Sequence, residues 1–180
     1  MILVTGGTGL VGSHLLVRLV QENEPIRAIY RTLESIEKTK KVFSYYTNLS
    51  KGVFSNIEWV QADITDVPSM IPAFKGVKKV YHCAAVISFD PTAYRTMRKV
   101  NIHGTAIIAN LAIDAKVEKL CFVSSIATIG DDPKKEFANE ENDWGGNQKN
   151  NGYAITKYGA ETEFWRASQE GVDVIIVNPG

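Results

Sequence analysis

Short apolar runs recur along the chain, separated by longer stretches of mixed character. The runs are 1–5 (MILVT), 26–30 (IRAIY), 57–61 (IEWVQ), 78–83 (KKVYHC), 119–124 (KLCFVS) and 173–178 (DVIIVN). Several stay hydrophobic for three or four residues in succession, the pattern of a strand covered on both faces. Helical spacing fills the intervals. Residues 10–22 put Leu15, Leu16, Leu19 and Val20 on one stripe, and 33–49 offers Leu33, Ile36, Phe43 and Tyr46 between lysines. Residues 67–75 carry Pro68 near the start, which suits a first turn. Residues 92–115 end apolar through Ile107, Ile108, Leu111 and Ala112, and 153–170 line up Ala154, Lys157, Ala160, Glu161 and Phe164. Six strands alternating with five helices predict an α/β fold: a doubly wound, mostly parallel sheet with helices on both faces and right-handed crossovers. The one long irregular stretch is 130–152, rich in Gly, Asn and charge.

The length of 180 residues suits a single domain, 1–180, with no interdomain linker. Twenty basic and twenty acidic side chains cancel, which counts against a nucleic-acid partner. No run of about 18 apolar residues exists, so neither a transmembrane helix nor a membrane partner is expected. The N-terminus lacks the basic region of a secretory signal, pointing to a cytoplasmic location. Cys83 and Cys121 lie in apolar segments and read as buried free thiols. With His14, His82 and His103 they form no metal-ligand spacing, so no metal is expected. Residues 174–180 read as a buried strand entering a turn, as if the chain were cut there.

Candidate chemistry begins where the first strand meets the first helix. Gly7, Gly9 and Gly12 satisfy G-x-G-x-x-G, and Gly6, Gly9 and Gly12 satisfy G-x-x-G-x-x-G. One glycine permits the turn, a second lets backbone approach a pyrophosphate, and a third lets the helix pack closely on the strand. The helix N-terminus then offers free N–H groups and a positive dipole end. Strand before and amphipathic helix after are the context a Rossmann dinucleotide-binding fold requires. An NAD site usually places an acid at the end of the second strand. Here Tyr30 is followed by Arg31, which would pair with a 2′-phosphate or stand solvated, so NADP is favoured over NAD. Asp63 after the third strand would accept from the adenine amino group, or cap a turn. Tyr153 and Lys157 stand at i and i+4 on the last helix, where an ammonium would favour the phenolate. The phenol would pass a proton to a carbonyl oxygen. Ser124 and Ser125 end the fifth strand on the same sheet edge, where a hydroxyl would hold that oxygen.

Thr5–Gly12, His82-Cys83-Ala84-Ala85, Asn101, Ser124-Ser125 and Tyr153-Ala154-Ile155-Thr156-Lys157 resemble, in order and spacing, the motif series of the short-chain dehydrogenase/reductase superfamily. The T-G-x-x-G-x-x-G form resembles its extended branch. The segment 84–91, Trp144 and 157–165 are similar to dihydroflavonol-reductase-like and 3β-hydroxysteroid-dehydrogenase-like members. The resemblance implies Tyr153 as general acid/base, Lys157 as the residue lowering its pKa and binding the nicotinamide ribose, and Ser125 as the group orienting substrate. It places Gly6, Gly9 and Gly12, with the backbone of Leu10 and Val11, at the pyrophosphate, and Arg31 at the 2′-phosphate. Asp63 and Ile64 come to the adenine, Ala84 and Ala85 to the nicotinamide side, and Pro179 to the turn that orients the nicotinamide. Asn101 matches either a structural or a proton-relay asparagine. Extended members continue into a seventh strand and a C-terminal substrate lobe, so strand six is expected as an open apolar edge. Members often dimerise through their fourth and fifth helices, where Ile107, Ile108 and Leu111 would serve a homodimer or the core. Three readings stand: an NADP-dependent reductase or dehydrogenase of a small carbonyl or alcohol, an NAD-dependent nucleotide-sugar epimerase or dehydratase, and a non-catalytic dinucleotide-sensing or interaction module.

Overall fold

A computed structural model describes residues 1–22, 24–46, 52–130, 137–142, 144 and 151–180. The apolar runs become six strands: β1 (Ile2–Thr5), β2 (Ile26–Tyr30), β3 (Ile57–Gln61), β4 (Lys79–His82), β5 (Lys119–Val123) and β6 (Asp173–Val177). They pair in parallel, in the order β3-β2-β1-β4-β5-β6. The order reverses between β1 and β4, and in such sheets a ligand crevice opens at that point, beyond the carboxyl ends of the strands.

Side-chain alternation along β1 divides the core between two faces. Ile2 and Val4 pack with Leu16, Val17 and Leu19 of α1 (Leu10–Leu19) and Phe43 of α2 (Leu33–Ser44). Leu3 faces the other way, toward Met70 of α3 (Val67–Ala73), Ile108 of α5 (Thr105–Asp114) and Phe164 of α6 (Gly152–Gln169). Each fully buried aliphatic or aromatic side chain contributes about 1.5–3 kcal/mol, so the two layers hold the helices on the sheet. The chain is the Rossmann-type α/β fold expected from the strand–helix alternation.

Three helices differ from the sequence expectation. The first ends at Leu19 and the second at Ser44; Tyr45 and Tyr46 are past its end, and 47–49 of the expected 33–49 lie outside the described residues. The expected helix 92–115 is composite. A 3₁₀ turn at Pro91–Ala93 leads into α4 (Tyr94–Met97), a π-helical stretch at Arg98–Gly104, and then α5. Backbone angles stay helical through both junctions, so Tyr94 to Asp114 is one rod with a wide turn inside. Ile108 is in the core, with Ile107 and Leu111 half-buried. Strand β6 is an edge of the sheet, with Ile175 and Val177 exposed. Among the described residues no helix is long and apolar enough to cross a membrane. The irregular stretch 130–152 lies mostly outside the described residues.

Candidate active site

The turn from β1 into α1 takes four residues, 6–9. Gly6 has φ +68°, and a Cβ on it would stand 2.6 Å from Ala84 N and 2.7 Å from Cys83 C. Glycine is therefore required twice over, for the left-handed turn and for the close approach of the chain leaving β4. A Cβ on Gly12 would overlap Gly6 O and reach 2.7 Å from Gly6 C, so this glycine seats α1 against the turn. Gly9 meets only Gly6 O, at 3.3 Å, and otherwise opens to the cleft. It is also the N-cap of α1, with no side chain capping the helix, and Leu10 and Val11 after it are exposed. The first-turn N–H groups and the dipole end remain for an anion. A cradle that side chains would fill, beneath an uncapped helix end, fits the pyrophosphate of a dinucleotide.

A cleft of about 300 Å³ runs from this turn across the switch point. At one end lie Tyr30, Arg31, Ser35 and Lys38; Asp63 and Ile64 form a side; Ala84, Ala85 and Val86 close the other end. Arg31 stands just before Thr32, the extended N-cap of α2, and Ser35 and Lys38 lie three residues apart on one face of that helix. Ser35 and Lys38 were not singled out from the sequence. Asp63 Oδ1 accepts from Thr65 N and Thr65 Oγ1, both at 2.8 Å, so the turn-capping role is real and leaves its other oxygen for the cleft. Partial burial works against the Asp63 carboxylate. The Thr65 hydrogen bonds and the nearby charges of Arg31 and Lys99 outweigh it and hold the carboxyl below its ordinary value.

Leu10, Val11, Gly12, Ser125, Tyr153, Lys157 and Pro179 do not line this cleft. The last four stand near the carboxyl ends of β5 and β6. Ser125 caps the 3₁₀ turn Ile126–Thr128, its Oγ accepting from Ala127 N at 3.2 Å. Ile126 N donates to Pro179 O at 2.9 Å, tying that turn to the exit of β6. Ser124 Oγ is buried with no hydrogen-bond partner among the described residues. Tyr153 is in the first turn of α6, which Asn151 caps through Ala154 N, and its ring meets Phe89 edge-on.

Lys157, one turn further, is 1% exposed. Its Nζ donates to Val123 O at 2.8 Å and sits 4.0 Å over the Phe122 ring. Burial lowers its pKa to about 8, partly opposed by the charge of Glu161. Among the described residues this ammonium meets one carbonyl at the end of β5, which leaves donors for a phenolate and a ribose hydroxyl.

Asn101, in the π stretch, is buried and fully engaged. Its Oδ1 accepts from Val86 N at 2.8 Å; its Nδ2 donates to Val86 O at 2.9 Å and Thr156 Oγ1 at 3.1 Å. It clamps the loop after β4 to the helix of Tyr153 and Lys157. His82, which the motif series included without a role, is also fully buried. Its Nδ1 lies 2.6 Å from Thr5 Oγ1 and its Nε2 2.9 Å from Thr105 Oγ1. It joins the glycine turn to the start of α5.

Residues 2–180 match the NAD dependent epimerase/dehydratase family. A "Putative dihydroflavonol 4-reductase" of Synechocystis sp. is 29% identical over 176 residues, which are 98% of this chain and 47% of that protein. The dTDP-D-glucose 4,6-dehydratase of Homo sapiens is 30% identical over 164 residues, covering 89% of this chain and 44% of that protein. The terminal R domain from the myxalamid PKS-NRPS biosynthetic pathway superposes with a TM-score of 0.85 at 27% identity, over 99% of this chain and 48% of that one. The chain thus spans about half the length of these relatives. With a parallel sheet of the dinucleotide-binding order, a glycine cradle under an uncapped helix and Tyr153 and Lys157 on α6, the chain belongs to the NAD-dependent epimerase/dehydratase family, within the extended short-chain dehydrogenases/reductases.

Proposed function

We propose that this chain is the cofactor-binding portion of an NADP-dependent oxidoreductase that interconverts a small-molecule carbonyl and its alcohol, in the manner of the dihydroflavonol-reductase-like relatives. The observation that carries the NADP reading is the lining of the cleft at the end of β2. Arg31, Ser35 and Lys38 gather there, and the acid that lines the cleft, Asp63, follows β3 rather than β2. Two cations and a hydroxyl suit a 2′-phosphate, whereas a bare ribose would call for a carboxylate. When bound, the nicotinamide would supply or accept the hydride. The chain's own groups do the rest. The Tyr153 hydroxyl moves the proton at the substrate oxygen, and the Ser125 hydroxyl orients that oxygen. Lys157, kept charged at neutral pH, draws the Tyr153 phenol toward its ionised form.

Fluorescence titration with NADPH and NADH tests the reading. NADPH should bind at least tenfold more tightly, and Arg31→Ala should erase most of that margin, as loss of a charge-assisted phosphate contact does (about 1.5–3 kcal/mol). Equal affinities, or tighter NADH, would overturn it in favour of an NAD-dependent epimerase or dehydratase; the human relative is named as a dTDP-D-glucose 4,6-dehydratase.

A further inference from the structure

The stripe of α6 that faces the sheet carries two charged residues among its apolar ones. One is Lys157. The other is Glu161, one helical turn on and 4% exposed. A buried carboxylate requires partners, and those of Glu161 come from two distant parts of the chain. Its Oε1 accepts from Thr128 Oγ1 at 2.6 Å and from Asn178 Nδ2 at 2.8 Å. Thr128 closes the turn that begins at Ser125, and its hydroxyl also lies 2.8 Å from Ser125 O. Asn178 leaves β6 next to Pro179, and its Nδ2 reaches Ser125 O at 3.2 Å. One carboxylate therefore joins the helix of Tyr153 and Lys157, the turn of Ser125 and the segment Asn178–Pro179.

We propose that Glu161 is a positioning residue, which fixes the Ser125 turn and the β6 exit against α6 through Thr128 and Asn178 and sets its charge against the Lys157 ammonium. The catalytic meaning rests on the oxidoreductase reading; the clamp itself does not. Besides Tyr153, one turn back on α6, the titratable neighbours of Lys157 are His82 and Cys83, at the end of β4, both neutral at working pH. Burial pushes the His82 imidazole down to about 3 and the Cys83 thiol up to about 12. Glu161 is the group that balances the charge.

Three variants separate the two parts. Glu161→Gln keeps an oxygen to accept from Thr128 and Asn178 but removes the charge. Glu161→Ala removes both, and Thr128→Val breaks the bridge while leaving the carboxylate. Hydrogen exchange reads the clamp at the amides of Ile126 and Ala127. They should exchange at least tenfold faster in Glu161→Ala and Thr128→Val, near wild type in Glu161→Gln, with β1 and β2 unchanged. Competitive acylation across pH, followed by mass spectrometry, reads the charge. The Lys157 titration should fall by about one unit in Glu161→Gln and stay in place in Thr128→Val. Should Glu161→Ala not fold, the other two variants carry both readouts. Unchanged exchange in Thr128→Val, or an unmoved Lys157 titration in Glu161→Gln, overturns the proposal. Neither measurement needs substrate or cofactor, so failure of the oxidoreductase reading would show only in the cofactor titrations.

Discussion

Mild acid should destabilise this protein through one histidine. His82 is fully buried in β4, its ring stacked within 5.5 Å of Phe122 and 5.8 Å of Phe164. Its two nitrogens meet the hydroxyls of Thr5 and Thr105, which can each donate or accept, so in the neutral ring one nitrogen donates and the other accepts. Burial first, and the Lys157 ammonium second, push its pKa from 6.5 down to about 3. Above pH 6.5 the imidazole is neutral in folded and unfolded chains alike, and the shift has no effect. Below it the unfolded chain takes up a proton that the native state refuses. Stability then falls by about 1.4 kcal/mol per pH unit until the native pKa is reached. Between pH 6.5 and 4.5 the loss comes to roughly 2–3 kcal/mol, a large part of the 5–15 kcal/mol typical of a domain. Urea midpoints at half-unit steps through that window, for wild type and His82→Gln, isolate the effect. Glutamine can still donate to one threonine and accept from the other but does not titrate, so the variant's slope should be shallower by about one proton. Carboxylates held below their ordinary values, such as Asp63 and Asp90, also destabilise in acid, but below this window. Parallel slopes for the two proteins would refute the role given to His82, whatever their offset at neutral pH.

Three further outcomes follow from the site. Gly12→Ala should cost about 1–3 kcal/mol in thermal or urea unfolding, because its Cβ would displace the Gly6 carbonyl. Gly9→Ala should leave stability within about 0.5 kcal/mol, yet weaken NADPH binding, since its Cβ would occupy the cradle; equal stability losses in the two variants would contradict this division of labour. Tyr153→Phe should cut carbonyl reduction by about a hundredfold or more while leaving cofactor affinity nearly unchanged. Turnover retained by that variant would remove Tyr153 as the acid.

The strands were legible because a strand buried on both faces writes itself as an apolar run; β2 and β3 begin and end where the runs do. The glycine turn was legible because its geometry is local: the φ of Gly6 and the seat of Gly12 are set within seven residues, and only glycine fits both. Features that depend on distant partners were not. Asn101 sits in a helical pattern, and nothing local announces the wide turn around it. The cause is Val86 and Thr156, 15 and 55 residues away, whose groups meet its amide. His82 reads locally as one more residue of a strand, and its two threonines come from 77 and 23 residues off. Glu161 did leave a trace, an acid on the buried stripe of its helix, which marks a partner without naming it. Ser35 and Lys38 were hidden by composition, since 33–49 read as a lysine-rich helix marked out only by its apolar positions Leu33, Ile36, Phe43 and Tyr46.

The wide turn at Arg98–Gly104 has a genetic consequence. A π turn holds one residue more than an α turn, so it amounts to an insertion retained inside an otherwise regular rod. Before it, Met97 is buried; within it, Asn101 reaches the loop after β4; beyond it, Ile108, Ala109 and Ala112 pack into the core. Loss of a single codon between 98 and 104 would let the rod close into plain α-helix, with the residues on either side still facing as they do. What goes is the widened turn from which Asn101 reaches Val86 and Thr156, while Ile108, Ala109 and Ala112 keep their places in the core. In a plain α-helix anchored at both ends the same deletion would turn everything downstream by about 100° and carry its apolar face off the sheet; here the wide turn absorbs it.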